Sequence, residues 1–109
     1  MDEIKEVKES YSQEDSSFAF LPGSRRTEIR SLMDDYRQVA SSLKGEKKLV
    51  VHPMYKESIE ALYGDVSQFT ISYDTHTTLQ SSDFAFVCSG TATLEASIIG
   101  VPFVLVYKA

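Results

Sequence analysis

Phe84-Ala85-Phe86-Val87-Cys88-Ser89-Gly90-Thr91-Ala92-Thr93-Leu94-Glu95 is the stretch that decides the fold. Its apolar opening, Phe84 to Cys88, is too short for a helix and reads as the core of a buried strand over Asp83–Cys88. Ser89 to Ala92 form a turn of small residues. Thr91 to Ile99 then reads as an apolar helix, stopped at Gly100-Val101-Pro102. Such a turn leaves backbone N–H groups facing outward at the helix N-terminus. Amides there lack intrahelical partners and the helix dipole adds partial positive charge, so the place attracts phosphate. Glu95 is the only charged residue between Asp83 and Lys108. A carboxylate beside a phosphate site suggests a ribose, whose diol needs acceptors. Position alone also allows a plain structural role, a first-turn glutamate complementing the dipole.

Upstream, the same strand–turn–helix pattern recurs. Phe18 to Leu21 reads as a strand, broken by Pro22-Gly23-Ser24. Gly23 permits a tight turn and close ligand approach, Ser24 offers a hydroxyl, and Arg25 offers a planar fork suited to phosphate oxygens. From Thr27 to Leu43 the apolar residues Ile29, Leu32, Met33, Tyr36, Val39, Ala40 and Leu43 recur at three and four, predicting an amphipathic helix capped by Thr27 and ended by Lys44-Gly45. Strands are expected at Lys48–His52, Gln68–Ser72 and Phe103–Tyr107, and helices at Tyr55–Tyr63 and Thr75–Ser82, the latter capped by Asp74 or Thr75. Alternation of this kind predicts an α/β fold: a doubly wound, Rossmann-like parallel sheet of about five strands. Its first and fourth strands adjoin at the topological switch point, with both glycine turns beyond their carboxyl ends.

The 109 residues suffice for one domain: a charged lead-in over 1–15, then a Rossmann-like domain over 16–109. The formal net charge of −5 argues against wholesale nucleic-acid binding, although Arg25, Arg26 and Arg30 cluster locally. The single cysteine, Cys88, excludes an internal disulfide and reads as a buried structural thiol in a cytoplasmic protein. No apolar run approaches a membrane span, and the charged first residues do not read as a signal peptide. His52 reads as a hydrogen-bonding strand end, and His76 lies on the ligand side beyond the third strand, with substrate contact the lesser of its two readings. No spacing suits a metal, and no hydrolase elbow, Walker lysine or full dinucleotide glycine motif is present. Tyr107-Lys108-Ala109 follows the last strand with no covering helix, so we expect a piece of a longer protein or a partner over that edge.

Two motifs carry a resemblance. Leu21-Pro22-Gly23-Ser24-Arg25-Arg26-Thr27-Glu28-Ile29 resembles the Leu-Pro-Gly-Ser-Arg-x-x-Glu-Ile signature of the lipid-A-disaccharide synthases, glycosyltransferase family 19. Ser89 to Ala96, followed by Gly100-Val101-Pro102-Phe103-Val104-Leu105-Val106-Tyr107-Lys108, resembles the second signature of that family. The resemblance implies the C-terminal, nucleotide-binding half of a two-domain GT-B enzyme. Such an enzyme is an inverting hexosyltransferase of bacterial lipid A and lipopolysaccharide biosynthesis. It moves a diacylglucosaminyl group from UDP-2,3-diacylglucosamine to 2,3-diacylglucosamine 1-phosphate and releases UDP. By the same resemblance Gly23, Ser24, Arg25, Ser89, Gly90, Thr91 and Ala92 meet the leaving diphosphate. Glu95 holds the ribose, and Tyr73, Asp74 and Thr75 lie on the uracil side. Neither a metal nor a cofactor is implied. The general base is expected in an N-terminal acceptor domain absent from these residues, so the segment alone is expected to be inactive. The full enzyme would be cytoplasmic and peripheral to the inner membrane, with a UDP-sugar, a lipid-linked acceptor and the membrane surface as partners. Two alternatives stay open: another GT-B UDP-sugar enzyme, transferase or epimerase, and a non-catalytic flavodoxin-like binding module.

Overall fold

A strand buried on both faces must be apolar throughout, and two stretches of this chain meet that demand. They form β1 (Ser17–Leu21) and β4 (Phe84–Val87), paired in parallel at the centre of the sheet with Leu21 opposite Val87. β2 (Glu46–Val50), β3 (Thr70–Ser72) and β5 (Phe103–Leu105) complete five parallel strands in the order β3-β2-β1-β4-β5. The helices α1 (Arg26–Ser42), α2 (Ile59–Tyr63), α3 (Thr75–Gln80) and α4 (Gly90–Ile99) provide the connections. This is the doubly wound Rossmann-like order expected from the sequence, with its switch point between β1 and β4. The computed structural model describes residues 16–23, 25–88 and 90–106. The lead-in over 1–15 and the chain end over 107–109 lie outside the described residues.

Strand alternation sorts the core by size. Phe18, Phe20, Phe84 and Phe86 point to the face covered by α1 and α2, where Phe20 and Phe86 stack with ring centroids 4.7 Å apart. Ala19, Leu21, Ala85 and Val87 point to the other face, beneath Leu79 of α3 and Ala96 of α4. Small side chains on that face let the two helices approach closely. The buried stripe of α1 is Ile29, Leu32, Met33, Tyr36, Val39 and Ala40, the set that the three-and-four spacing predicts.

Some boundaries differ for local reasons. The expected helix over Tyr55–Tyr63 divides into a short 3-10 turn, Pro53–Tyr55, and α2. His52 Nδ1 accepts the Met54 N–H at 3.3 Å and caps that turn, and Tyr55 is drawn into the core. Helix geometry resumes only after Ser58. β2 begins early, at Glu46, because Gly45 turns the chain at φ 101° immediately before it. β3 begins late, at Thr70, because the Phe69 amide is engaged by Val66 O at 3.0 Å. Thr27 does not cap α1. The cap position belongs to Arg25, whose carbonyl accepts the Ile29 N–H at 2.9 Å and whose side chain makes no cap bond.

The central pair is closed at both ends. At its start the Ser17 N–H donates to Asp83 Oδ2 and the Asp83 N–H donates to Ser17 O, each at 2.8 Å. At its end the wholly buried Tyr36 hydroxyl lies 3.1 Å from Leu21 O and 3.2 Å from Phe86 O, donating between the two strands. Burial holds the Tyr36 phenol well above its ordinary range. Tyr36→Phe should therefore lower unfolding stability by about 1–2 kcal/mol in urea titrations at neutral pH. A raised phenol favours the native state while protonated. Its contribution is complete below the unfolded pKa of about 10 and fades as pH rises past it, so the tyrosine-to-phenylalanine deficit should shrink in alkali.

Candidate functional site

The chain leaves β1 and β4 side by side. Parallel neighbours lie about 4.8 Å apart, so the turns after Leu21 and Val87 begin as neighbours. Gly23 turns at φ 93°, a conformation that side chains resist. A Cβ there would also sit 2.9 Å from Cys88 Sγ and 3.1 Å from Glu28 Oε2. Gly23 thus lies directly against the residue that follows β4, where the second turn begins. Ser24 and Ser89 lie outside the described residues. Gly90, Thr91 and Ala92 form the first turn of α4 as backbone. Beside them α1 starts without a side-chain cap, so two helix N-termini face the region beyond the strand ends.

Arg25 projects into solvent with 81% of its side chain exposed, and its Nε lies 3.6 Å from Glu28 Oε1. An exposed pair of this kind adds little stability. The Glu28 charge also acts on Cys88. Burial, then the Glu28 charge, pushes the Cys88 thiol up to about 11. Cys88 is therefore the buried thiol that the sequence suggests, and it also forms the seat of Gly23. Sequence reasoning missed Glu28 and the packing role of Cys88. The signal for Glu28 was its fixed place three residues after Arg25.

Glu95 is half-buried at the sixth position of α4. The first turn of α4 holds no acidic residue, so the reading of Glu95 as a first-turn dipole partner is corrected. Tyr73, Asp74 and Thr75 follow the edge strand β3, two strands from β1, and so stand about 10 Å from the Gly23 turn. Asp74 caps α3, accepting the His76 N–H at 3.2 Å and the Thr77 hydroxyl. The Thr77 bond is the main cause of its lowered pKa. His76 is exposed, while His52 serves the 3-10 turn. Among the described residues no three His, Cys, Asp or Glu side chains are grouped to hold a metal ion.

Five parallel strands with two glycine turns and two helix N-termini at one switch point make a Rossmann-like domain, with its crevice at the place where such sheets take ligands. The comparisons with known proteins agree and go further. The family described as "LpxB: Lipid-A-disaccharide synthetase" matches residues 1–109. A lipid-A-disaccharide synthase of Campylobacter jejuni strain RM1221 is 49% identical over 117 residues, which cover 100% of this chain and 32% of the relative. One from Helicobacter pylori strain Shi470 is 43% identical over 116 residues, with the same shares. The chain belongs to the lipid-A-disaccharide synthetase family, and it spans about a third of the length of these curated relatives. The solved structure of a protein assigned as UDP-N-acetylglucosamine 2-epimerase, from Listeria monocytogenes, superposes with a TM-score of 0.57 at 20% identity. That match covers 91% of this chain and 29% of the other and bears on the fold alone.

Gly23→Ala combines a strained φ with two close contacts and should cost about 1–3 kcal/mol in urea unfolding. Adding Cys88→Ala should return only part of the loss, because the strained φ remains. Cys88 yields a second prediction. Its thiol favours the native state fully below pH 9 and progressively less up to about pH 11. Stability should fall across that window by at most about 1.4 kcal/mol per pH unit from this group, and Cys88→Ala should flatten the decline.

Proposed function

We propose that this chain is the donor-binding part of a lipid-A-disaccharide synthase and that the crevice between its two glycine turns takes the UDP moiety of UDP-2,3-diacylglucosamine. The observation that carries the reading is the contact of Gly23 with Cys88, which makes one wall of two phosphate-type turns. Arg25 and the amides of α1 and α4 meet the diphosphate, with Ser24 and Ser89 beside them. Glu95 accepts hydrogen bonds from the ribose diol, and Tyr73 to Thr75 approach the uracil. Asp74 contributes there through its loop, since its carboxylate is engaged as a cap.

The chemistry follows from the leaving group. As the glycosidic bond to UDP breaks, negative charge grows on the β-phosphate oxygens. A guanidinium and fixed helix-terminal amides stabilise that charge without waiting for solvent to reorganise. The acceptor hydroxyl of 2,3-diacylglucosamine 1-phosphate must lose a proton as it attacks from the opposite face. A base for that proton belongs to an acceptor domain in the remainder of a GT-B enzyme working at the cytoplasmic face of the inner membrane. The 109-residue chain alone therefore binds UDP weakly and transfers nothing.

Kinetics on the full-length enzyme test these roles. Arg25→Ala should reduce kcat/KM by a barrier increment of about 2–4 kcal/mol, as expected for loss of a charge-stabilising donor. Glu95→Ala should raise the donor KM and change kcat little. An unaltered rate in the arginine variant removes it from leaving-group stabilisation, and an unaltered donor KM in the glutamate variant removes Glu95 from the ribose.

A further inference from the structure

We propose that a second anion site, for a phosphate ester, lies on the α1–α2 side of the domain, apart from the crevice between the glycine turns. Arg26, Arg30, Tyr55, Ser58, Ala61 and Leu62 line a cleft of about 180 Å³ there. Arg26 and Arg30 stand four apart on α1 and therefore on one face of the helix, where like charges repel. Both are exposed, and among the described residues neither is paired with a carboxylate. Asp34, the nearest acidic residue one turn on, is taken by Arg37. Glu57 and Glu60 flank Ser58 and Ala61 in sequence, but neither lines the cleft. Two unneutralised guanidiniums facing one cleft are notable in a chain whose formal net charge is −5.

The other walls define the ligand. The Arg26 guanidinium carbon lies 5.7 Å from the centroid of the Tyr55 ring, a cation–π contact at the cleft. Ser58 adds a hydroxyl opposite. Two planar forks and a hydroxyl suit the several oxygens of one phosphate group. Ala61, Leu62 and the Tyr55 ring form an apolar wall that free phosphate would leave unused but that the carbon body of an ester would cover. The site therefore discriminates an organic phosphate from inorganic phosphate. Arg25 sits at the extended cap position outside the helical turns of α1 and does not line this cleft.

Amide NMR on this chain tests the proposal with glucosamine 1-phosphate, with inorganic phosphate, and with phosphatidylcholine vesicles lacking or containing phosphatidylglycerol. Glucosamine 1-phosphate should shift the signals of Arg26, Arg30, Ser58 and Ala61 at lower concentration than inorganic phosphate. Arg26→Ala and Arg30→Ala should each weaken it by about tenfold. Sedimentation with the phosphatidylglycerol vesicles alone, lost in the double variant, assigns the phosphate to a lipid headgroup. Displacement by glucosamine 1-phosphate without vesicle binding assigns it to a soluble or extracted phosphosugar. Absence of any shift, equal response to both phosphates, or shifts that survive Arg26→Ala/Arg30→Ala would overturn the proposal. The signals of Gly23 and Gly90 serve as an independent record of the UDP site, so failure there leaves this cleft unaffected.

Discussion

The candidate site of this domain depends on the parallel pairing of β1 with β4. That pair brings two strand–turn–helix elements, whose strands are separated by more than sixty residues of sequence, into one register with Leu21 opposite Val87. The Ser17–Asp83 bonds hold its start and the buried Tyr36 hydroxyl bridges the carbonyls at its end. A slip of one residue would send the phenylalanines to the small-residue face and leave Tyr36 without its acceptors. The geometry of the crevice is thus set by the core and not by the loops that line it.

The same economy extends into the turns. Gly23 is required twice over, once for its positive φ and once because Cys88 and Glu28 occupy the space a side chain would need. Glu28 in turn lies beside Arg25 and raises the Cys88 thiol. One carboxylate therefore pairs with the arginine and lies beside the glycine turn. Ionic contacts at such a surface contribute little to stability.

Much of this was legible in the chain itself. The uncharged run Phe84–Cys88 and the spacing of Ile29 to Ala40 mark a buried strand and an amphipathic helix because burial leaves no other pattern acceptable. The strand order follows from crossover handedness and chain economy. Tertiary choices were not legible. Tyr36 sits in an apolar stripe, and nothing in its spacing reveals that its hydroxyl serves two backbone carbonyls. Tyr55 looks like a helix start but is drawn under Arg26 and into the core, which breaks the segment into a 3-10 turn and α2. Thr27 has the right chemistry for a cap, yet Arg25 takes the position, and its side chain makes no cap bond. Glu95 reads as a first-turn residue only while the helix start is unknown.

The central claim is that the turns after β1 and β4 form one nucleotide site. Titration of this chain with UDP, and separately with ADP, while following backbone amides measures it most directly. We predict that Gly23, Arg25, Gly90 and Thr91 shift together along a single UDP isotherm, with a weaker response to ADP. Movement of one turn without the other, or of neither at saturating UDP, would contradict the account.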